Sequence, residues 1–195
     1  MLALALSLAL GCTQPQRISV VVPAPRATTA QLSLWECGRR LLGPWRARVG
    51  RSGVSAQHRE GDGTTPLGTF AIGPVAYGLD PDPGLHLAYH RLRCGDWWDE
   101  DPASPAYNAF QHVPCGAPPP FGGGSEALWR ATVAYREFAV VEYNTHPVRP
   151  GRGSGIFLHD DLGRPTNGCV SLPRPRLLQL LRRLRRGARI AIRLR

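Results

Sequence analysis

GIFLHDDLGRPTNGCVSLP, residues 155–173, decides how this chain is read. Ile156, Phe157 and Leu158 form a short apolar run that delivers His159. A polar Gly/Pro stretch follows, and Cys169 then enters a second apolar segment after Gly168. Short apolar runs broken by Gly and Pro are the pattern of strands joined by a loop. A lone cysteine ten residues beyond a histidine has two readings. It is a small buried hydrophobe, or it is a nucleophile with His159 as its base.

Working outward, Glu137–Asn144 (EFAVVEYN) is apolar enough for a central strand. Leu85–Leu92 alternates as a strand, and a third strand is expected at Thr69–Ile72 after the Gly/Pro-rich loop that starts at Arg59. Gln31–Glu36 and the stretch after Cys37-Gly38 make a hairpin. Downstream, Pro173 or Pro175 opens a helix and Gly187 closes it, with Leu177, Leu181 and Leu184 on one face. Ile190, Ile192 and Leu194 then alternate with arginines in a last strand. Residues 97–108 (WWDEDPASPAYN) read as a long loop, and such a loop in a compact domain is usually functional or stapled. The class is mainly β with one helix.

The chain has 195 residues, enough for one domain with its own core. Its 22 glycines and 19 prolines favour strands and turns over a helical bundle. The net charge is +10, carried entirely by arginine, which favours anionic surroundings and says nothing about fold. Met1–Leu10 is apolar, too short to span a bilayer, and similar to the core of an export signal. Ala9–Cys12 (ALGC) resembles a lipobox in which Cys12 would be lipidated. Residues 1–12 are therefore expected to be a signal or lipoprotein-like segment, 13–29 a linker and 30–195 the functional domain, with the protein exported to the cell envelope.

An exported chain is permitted disulfides. Cys94 and Cys115 flank the long loop and are the expected pair. Cys37 has no obvious partner, and Cys169 is left reduced, as a nucleophile has to be. A thiol needs a neighbouring imidazole, a helix N-terminus or both. The helix that follows Cys169 offers the second, and the backbone N–H groups of Asn167 to Cys169 offer an oxyanion site, where Gly168 permits close approach.

The segment from Ile156 to Pro173 resembles the active-site segment of the L,D-transpeptidase catalytic domain, the YkuD family. Further blocks agree in order: REGDGTTPLGTFAIG (59–73), WWDEDPASPAYN (97–108) and VVEYNTHPVRPGRGSGIFLH (140–159). The resemblance covers about Leu32 to Arg195. It implies a β-sandwich-like fold, Cys169 as nucleophile and His159 as general base. Thr166, Asn167, Gly168 and Ser171 are implied as oxyanion or substrate contacts. The implied reaction attacks a peptidoglycan stem tetrapeptide, forms a thioester, expels the terminal D-Ala and passes the acyl group to an amine. Neither metal nor cofactor is implied. Three departures stand out: a short His-to-Cys interval, Asn167 in place of a second histidine, and Ser171 in place of an arginine, for which Arg164 or Arg152 would have to substitute.

Other candidates are weaker. His86, His90 and Cys94 have a helical metal-site spacing but lie in a stretch that reads as strand. The arginine-rich C-terminal segment lacks any nucleic-acid-binding signature, so the expected partners are peptidoglycan stem peptides, with a membrane reached only through the lipid. Glu60, Asp62, Asp160 and Asp161 read as turn and loop carboxylates. Trp97, Trp98 and Tyr107 either line a cleft or form the loop's own small core. The alternatives to a transpeptidase are an L,D-carboxypeptidase or other hydrolase on the same fold, and a wall-binding module without catalysis.

Overall fold

The computed structural model describes residues 15–122 and 124–195. The signal-like segment and the lipidation candidate Cys12 lie outside the described residues. Alternation is the rule that builds the sheet. In β1 (Arg17–Val22) Ile18, Val20 and Val22 are fully buried, and their neighbours face outward. The strands β2 (Thr29–Glu36) and β3 (Arg39–Arg48) form the expected hairpin. Two short paired strands follow, β4 (Val54–Ser55) and β5 (Thr65–Pro66), which bracket the 56–64 loop.

The strand β6 (Gly68–Gly78) is longer than expected, and β7 (Ala88–Arg91) runs parallel to it at the sheet edge. Next come β8 (Asp96–Asp99), β9 (Ala109–His112) and β10 (Glu126–Ala127), which form a separate three-stranded sheet. The remaining elements are β11 (Phe138–Val141), β12 (Phe157–Asp160), β13 (Val170–Leu172), α1 (Arg174–Leu181) and β14 (Arg189–Leu194). The main sheet has the order β11-β12-β13-β3-β2-β1-β14-β6-β7, and an additional β11–β6 pairing closes it on itself.

The mainly β class is observed, with one α-helix among the described residues. One expectation fails: the linker assigned to 13–29 contains β1, hydrogen-bonded between β2 and β14. Its flanking Pro and Thr residues read as linker, but three buried aliphatics in alternation need a core to face. The helix is also shorter than the sequence indicates, ending at Leu181, although Leu184 remains fully buried beyond it.

Every residue of β11, β12 and β13 is buried, on both faces. One face joins the main core through Leu158, Val170 and Leu172. The other packs into a second cluster around Phe138, Phe157, Trp98, Leu128 and Tyr135, with Cys169 against it. The three-stranded sheet thus roofs the outer face of β12. Trp98 meets Phe157 edge-on at 5.1 Å, and its indole N–H donates to Asn108 Oδ1 at 3.0 Å. Burying Phe138 and Phe157 contributes about 1.5–3 kcal/mol each.

Candidate active site

Parallel pairing sets the geometry. Leu158 lies opposite Val170 and His159 opposite Ser171. Residues two apart on a strand share a face, so Phe157 and His159 point the same way, as do Cys169 and Ser171. Cys169 therefore enters β13 on the roofed face, level with Phe157 and two residues behind His159. The Phe157 N–H points at its sulfur, 3.3 Å away, and the thiol donates to Gly155 O at 3.2 Å.

His159 is nearly inaccessible, at 6% exposure. Its Nδ1 lies 2.7 Å from the Asp160 carbonyl. A carbonyl only accepts, so Nδ1 carries the proton and Nε2 keeps the lone pair. Burial pulls the imidazole down to about 4, against the pull of that hydrogen bond. Burial likewise pushes the Cys169 thiol well above its ordinary value, reinforced by the nearby carboxylates of Glu126 and Glu100 and opposed by the Phe157 N–H. The resting pair is neutral at pH 7.

The helix N-terminus does not assist the thiol. β13 intervenes and carries the chain about 13 Å away at ~3.3 Å per residue before α1 begins. The main-chain donor at the sulfur comes from β12 instead. The oxyanion expectation is also modified. Thr166 Oγ1 donates to Cys169 O at 2.6 Å and takes the Gly168 N–H at 3.2 Å, so its hydroxyl fastens the turn while the residue borders the larger cavity beside Cys169. Gly168 has φ +152°, and a Cβ there would stand 3.1 Å from both Ile156 Cδ1 and Thr64 O, so only glycine fits. Asn167 is exposed and accepts from Arg51 Nη1 at 3.2 Å.

Ser171 is corrected outright. It is fully buried, and its hydroxyl has no partner among the described residues. The side chain shares the face of Cys169 as the alternation requires, but Cys169 borders both cavities whereas Ser171 lies wholly beneath the cover and presents no surface to substrate. Of its suggested stand-ins, Arg164 lines a cavity with His159 and Cys169, whereas Arg152 is exposed and its carbonyl accepts from Tyr143.

Two cavities meet at the sulfur. The larger, about 520 Å³, holds His159, Tyr135, Arg164 and Leu162. The smaller, about 360 Å³, holds His58, Glu60, Glu100 and Ser154. Cys169, Arg51, Glu126 and Asn167 border both. Sequence reasoning missed Arg51, His58, Glu100, Glu126 and Tyr135. Glu126 accepts a short hydrogen bond from the Tyr135 hydroxyl. Glu100 leans over Gly155, where a Cβ would fall 1.8 Å from its Oε1. Burial and the neighbouring Glu126 raise its carboxyl above the usual range. Glu60, read as a turn carboxylate, accepts from Tyr107 and from Ser154 Oγ at 2.6 Å. Tyr107 and Trp98 belong to the packed roof, while Trp97 meets Trp129 and Phe121 edge-on.

Cys94 and Cys115 are joined in a disulfide that staples the roof, which removes Cys94 from the His86–His90–Cys94 set. Cys37 is disulfide-bonded as well. Cys169 is a free thiol.

A family model described as the YkuD L,D-transpeptidase catalytic domain matches residues 17–192. No curated protein and no solved structure matches the chain.

Proposed function

Because the chain belongs to the L,D-transpeptidase catalytic-domain family, we propose that it is an exported cysteine acyltransferase that remodels peptidoglycan through a thioester on Cys169. The observation that carries this reading is the setting of Cys169, whose sulfur meets a main-chain donor and which borders two cavities, one of them shared with a histidine of fixed tautomer. His159 Nε2 receives the thiol proton as sulfur attacks the stem-peptide carbonyl. The carbon–sulfur bond forms, the carbon–nitrogen bond breaks, and the proton passes to the departing D-residue amine. A neutral resting pair supports deprotonation of the thiol in the substrate complex rather than in the free protein. The larger cavity, with Arg164 and Arg51 at its border, suits a donor stem that bears a carboxylate.

Incubation with a carbapenem, followed by intact mass and peptide mapping, tests the reading. An adduct on Cys169 that is absent from Cys169→Ala is expected. An unmodified wild-type protein, or an adduct elsewhere, refutes it. The same thioester serves an L,D-carboxypeptidase, in which water replaces the amine, so the acceptor separates the two reactions.

A further inference from the structure

The smaller cavity contains a second histidine that the thioester chemistry above does not use. His58 is nine-tenths buried, with 4% of its side chain exposed. Its Nδ1 lies 3.0 Å from Asp62 Oδ1 and 3.0 Å from Thr64 Oγ1. The Thr64 hydroxyl itself donates to Asp62 Oδ1 at 2.8 Å, so both groups facing Nδ1 accept from it. Nδ1 therefore carries the proton and Nε2 keeps its lone pair.

Nε2 has no hydrogen-bond partner among the described residues. The ring edge that carries it fits between two glycines. A Cβ on Gly153 would stand 2.3 Å from Nε2, and one on Gly168 would stand 3.7 Å from Cε1. Gly168 precedes the nucleophile, so a base without a partner sits one residue from Cys169 in a cavity they share.

The walls of that cavity are acidic. Glu60 is held by Tyr107 and Ser154, Glu126 by Tyr135, and the Glu100 carboxylate accepts no hydrogen bond among the described residues. Arg51, the cation at the border, is turned to Asn167 Oδ1 and Gly61 O. Three carboxyl groups around one cavity disfavour each other's ionisation, and a cation placed between them relieves that repulsion. An oxyanion or a stem carboxylate would be repelled.

We infer that this cavity is the acceptor subsite, that it takes a primary ammonium group, and that the His58–Asp62 dyad is the base that frees the amine for attack. The inference rests on the acyltransferase reading of Cys169 and selects amine over water as the acceptor. The ammonium loses one proton to His58 Nε2. The amine nitrogen attacks the thioester carbonyl, the carbon–nitrogen bond forms and the carbon–sulfur bond breaks. A second amine proton passes to the departing sulfur and the third stays on the new amide. Thiol and amide are the products, and His58 returns its proton to solvent. His159 serves the donor half of the cycle from one side of the sulfur, and His58 the acceptor half from the other.

The test partitions a pre-formed acyl-enzyme between nucleophiles. Wild-type protein acylated with stem tetrapeptide is offered a second tetrapeptide bearing a free side-chain amine, or hydroxylamine, which is uncharged at neutral pH and needs no base. His58→Gln is expected to lower transfer to the charged amine by roughly 10²–10³, while thioester formation and transfer to hydroxylamine persist. Glu100→Gln is expected to raise KM for the charged amine without that effect on hydroxylamine. Equal losses with both nucleophiles, a loss of thioester formation in step with transfer, or unchanged transfer to the charged amine overturns the inference. Should His58→Gln fail to fold, Asp62→Asn gives the same ratio of nucleophiles and decides in the same way. A wild-type protein that forms no thioester refutes the acyltransferase reading and the acceptor assignment together, whereas a thioester that discharges without this selectivity refutes the acceptor assignment alone.

Discussion

Replacing Asp160 with Asn gives a measurement whose sign and size both follow from the structure. The Asp160 side chain is 3% exposed, and neither carboxylate oxygen has a hydrogen-bond partner among the described residues. Arg174 Nε stands 4.0 Å away but is engaged by Glu137 at 3.1 Å. Burial, reinforced by the Glu137 charge, moves the carboxyl from the ordinary 3.8 to about 7. Between those values the folded protein holds a proton that the unfolded chain has released, so stability falls as pH rises through this window. At about 1.4 kcal/mol per pH unit the difference is roughly 4 kcal/mol, a ceiling that relaxation of Arg174 and its neighbours towards the carboxylate reduces to about 1–2 kcal/mol. Asn has no such proton to lose. Urea midpoints at pH 4, 6 and 8 should show Asp160→Asn gaining on the wild type as pH rises, by that amount at pH 8 and by little at pH 4. A difference that stays constant with pH, or a variant less stable at pH 8 than at pH 4 relative to wild type, would show that the carboxylate is paired or hydrated and refute the reasoning.

Three further outcomes are expected. His159→Ala should slow acylation by roughly 10²–10⁴. Because burial pulls the wild-type imidazole down to about 4, the wild-type acylation rate should stay flat from pH 7 to 5 and fall only towards 4, and an inflection near the ordinary histidine value would count against the buried neutral base. Ser171→Arg would force an unpaired guanidinium into a fully buried position at a cost of roughly 3 kcal/mol or more, so soluble, cooperatively folding variant in circular dichroism would contradict the packing described. Replacing Cys94 and Cys115 together with Ser should remove about 3 kcal/mol, read as a fall in Tm of roughly 6–12 °C by calorimetry under non-reducing conditions, and an unchanged Tm would mean that the roof is held without its staple.

The parts of the site carried by local periodicity were legible in the sequence. An apolar run ending at His159, a loop and a second apolar run specify two neighbouring strands, and the alternation correctly places Ser171 on the face of Cys169. What alternation lacks is any record of what covers a face. The cover comes from β8, β9 and β10, strands of two to four residues with too few side chains to show a period, so the region read as loop. Glu100 and Glu126 arrive with that cover and were invisible for the same reason. Glu60 and His58 sit in a Gly-rich loop where a turn explains them adequately, and only folding shows that Asp62 holds a ring against Gly168, next to Cys169. β1 was misread because a strand of six residues between Pro-bearing segments declares its centrality only through partners far along the chain.

Those distant partners govern how the molecule comes to exist. Arg17 pairs with Arg189, 172 positions later, and β14 is also bonded to β6. Until residues 189–194 have been synthesised, β1 and β6 each present an unfilled edge, and the ring cannot close. Closure of the sheet must wait for one of the longest loop closures available to this chain, which slows folding and prolongs the interval in which bare edges can find partners in other chains. A nascent chain halted before Arg189 should consequently remain a chaperone substrate, however much of its hairpin and roof has already formed.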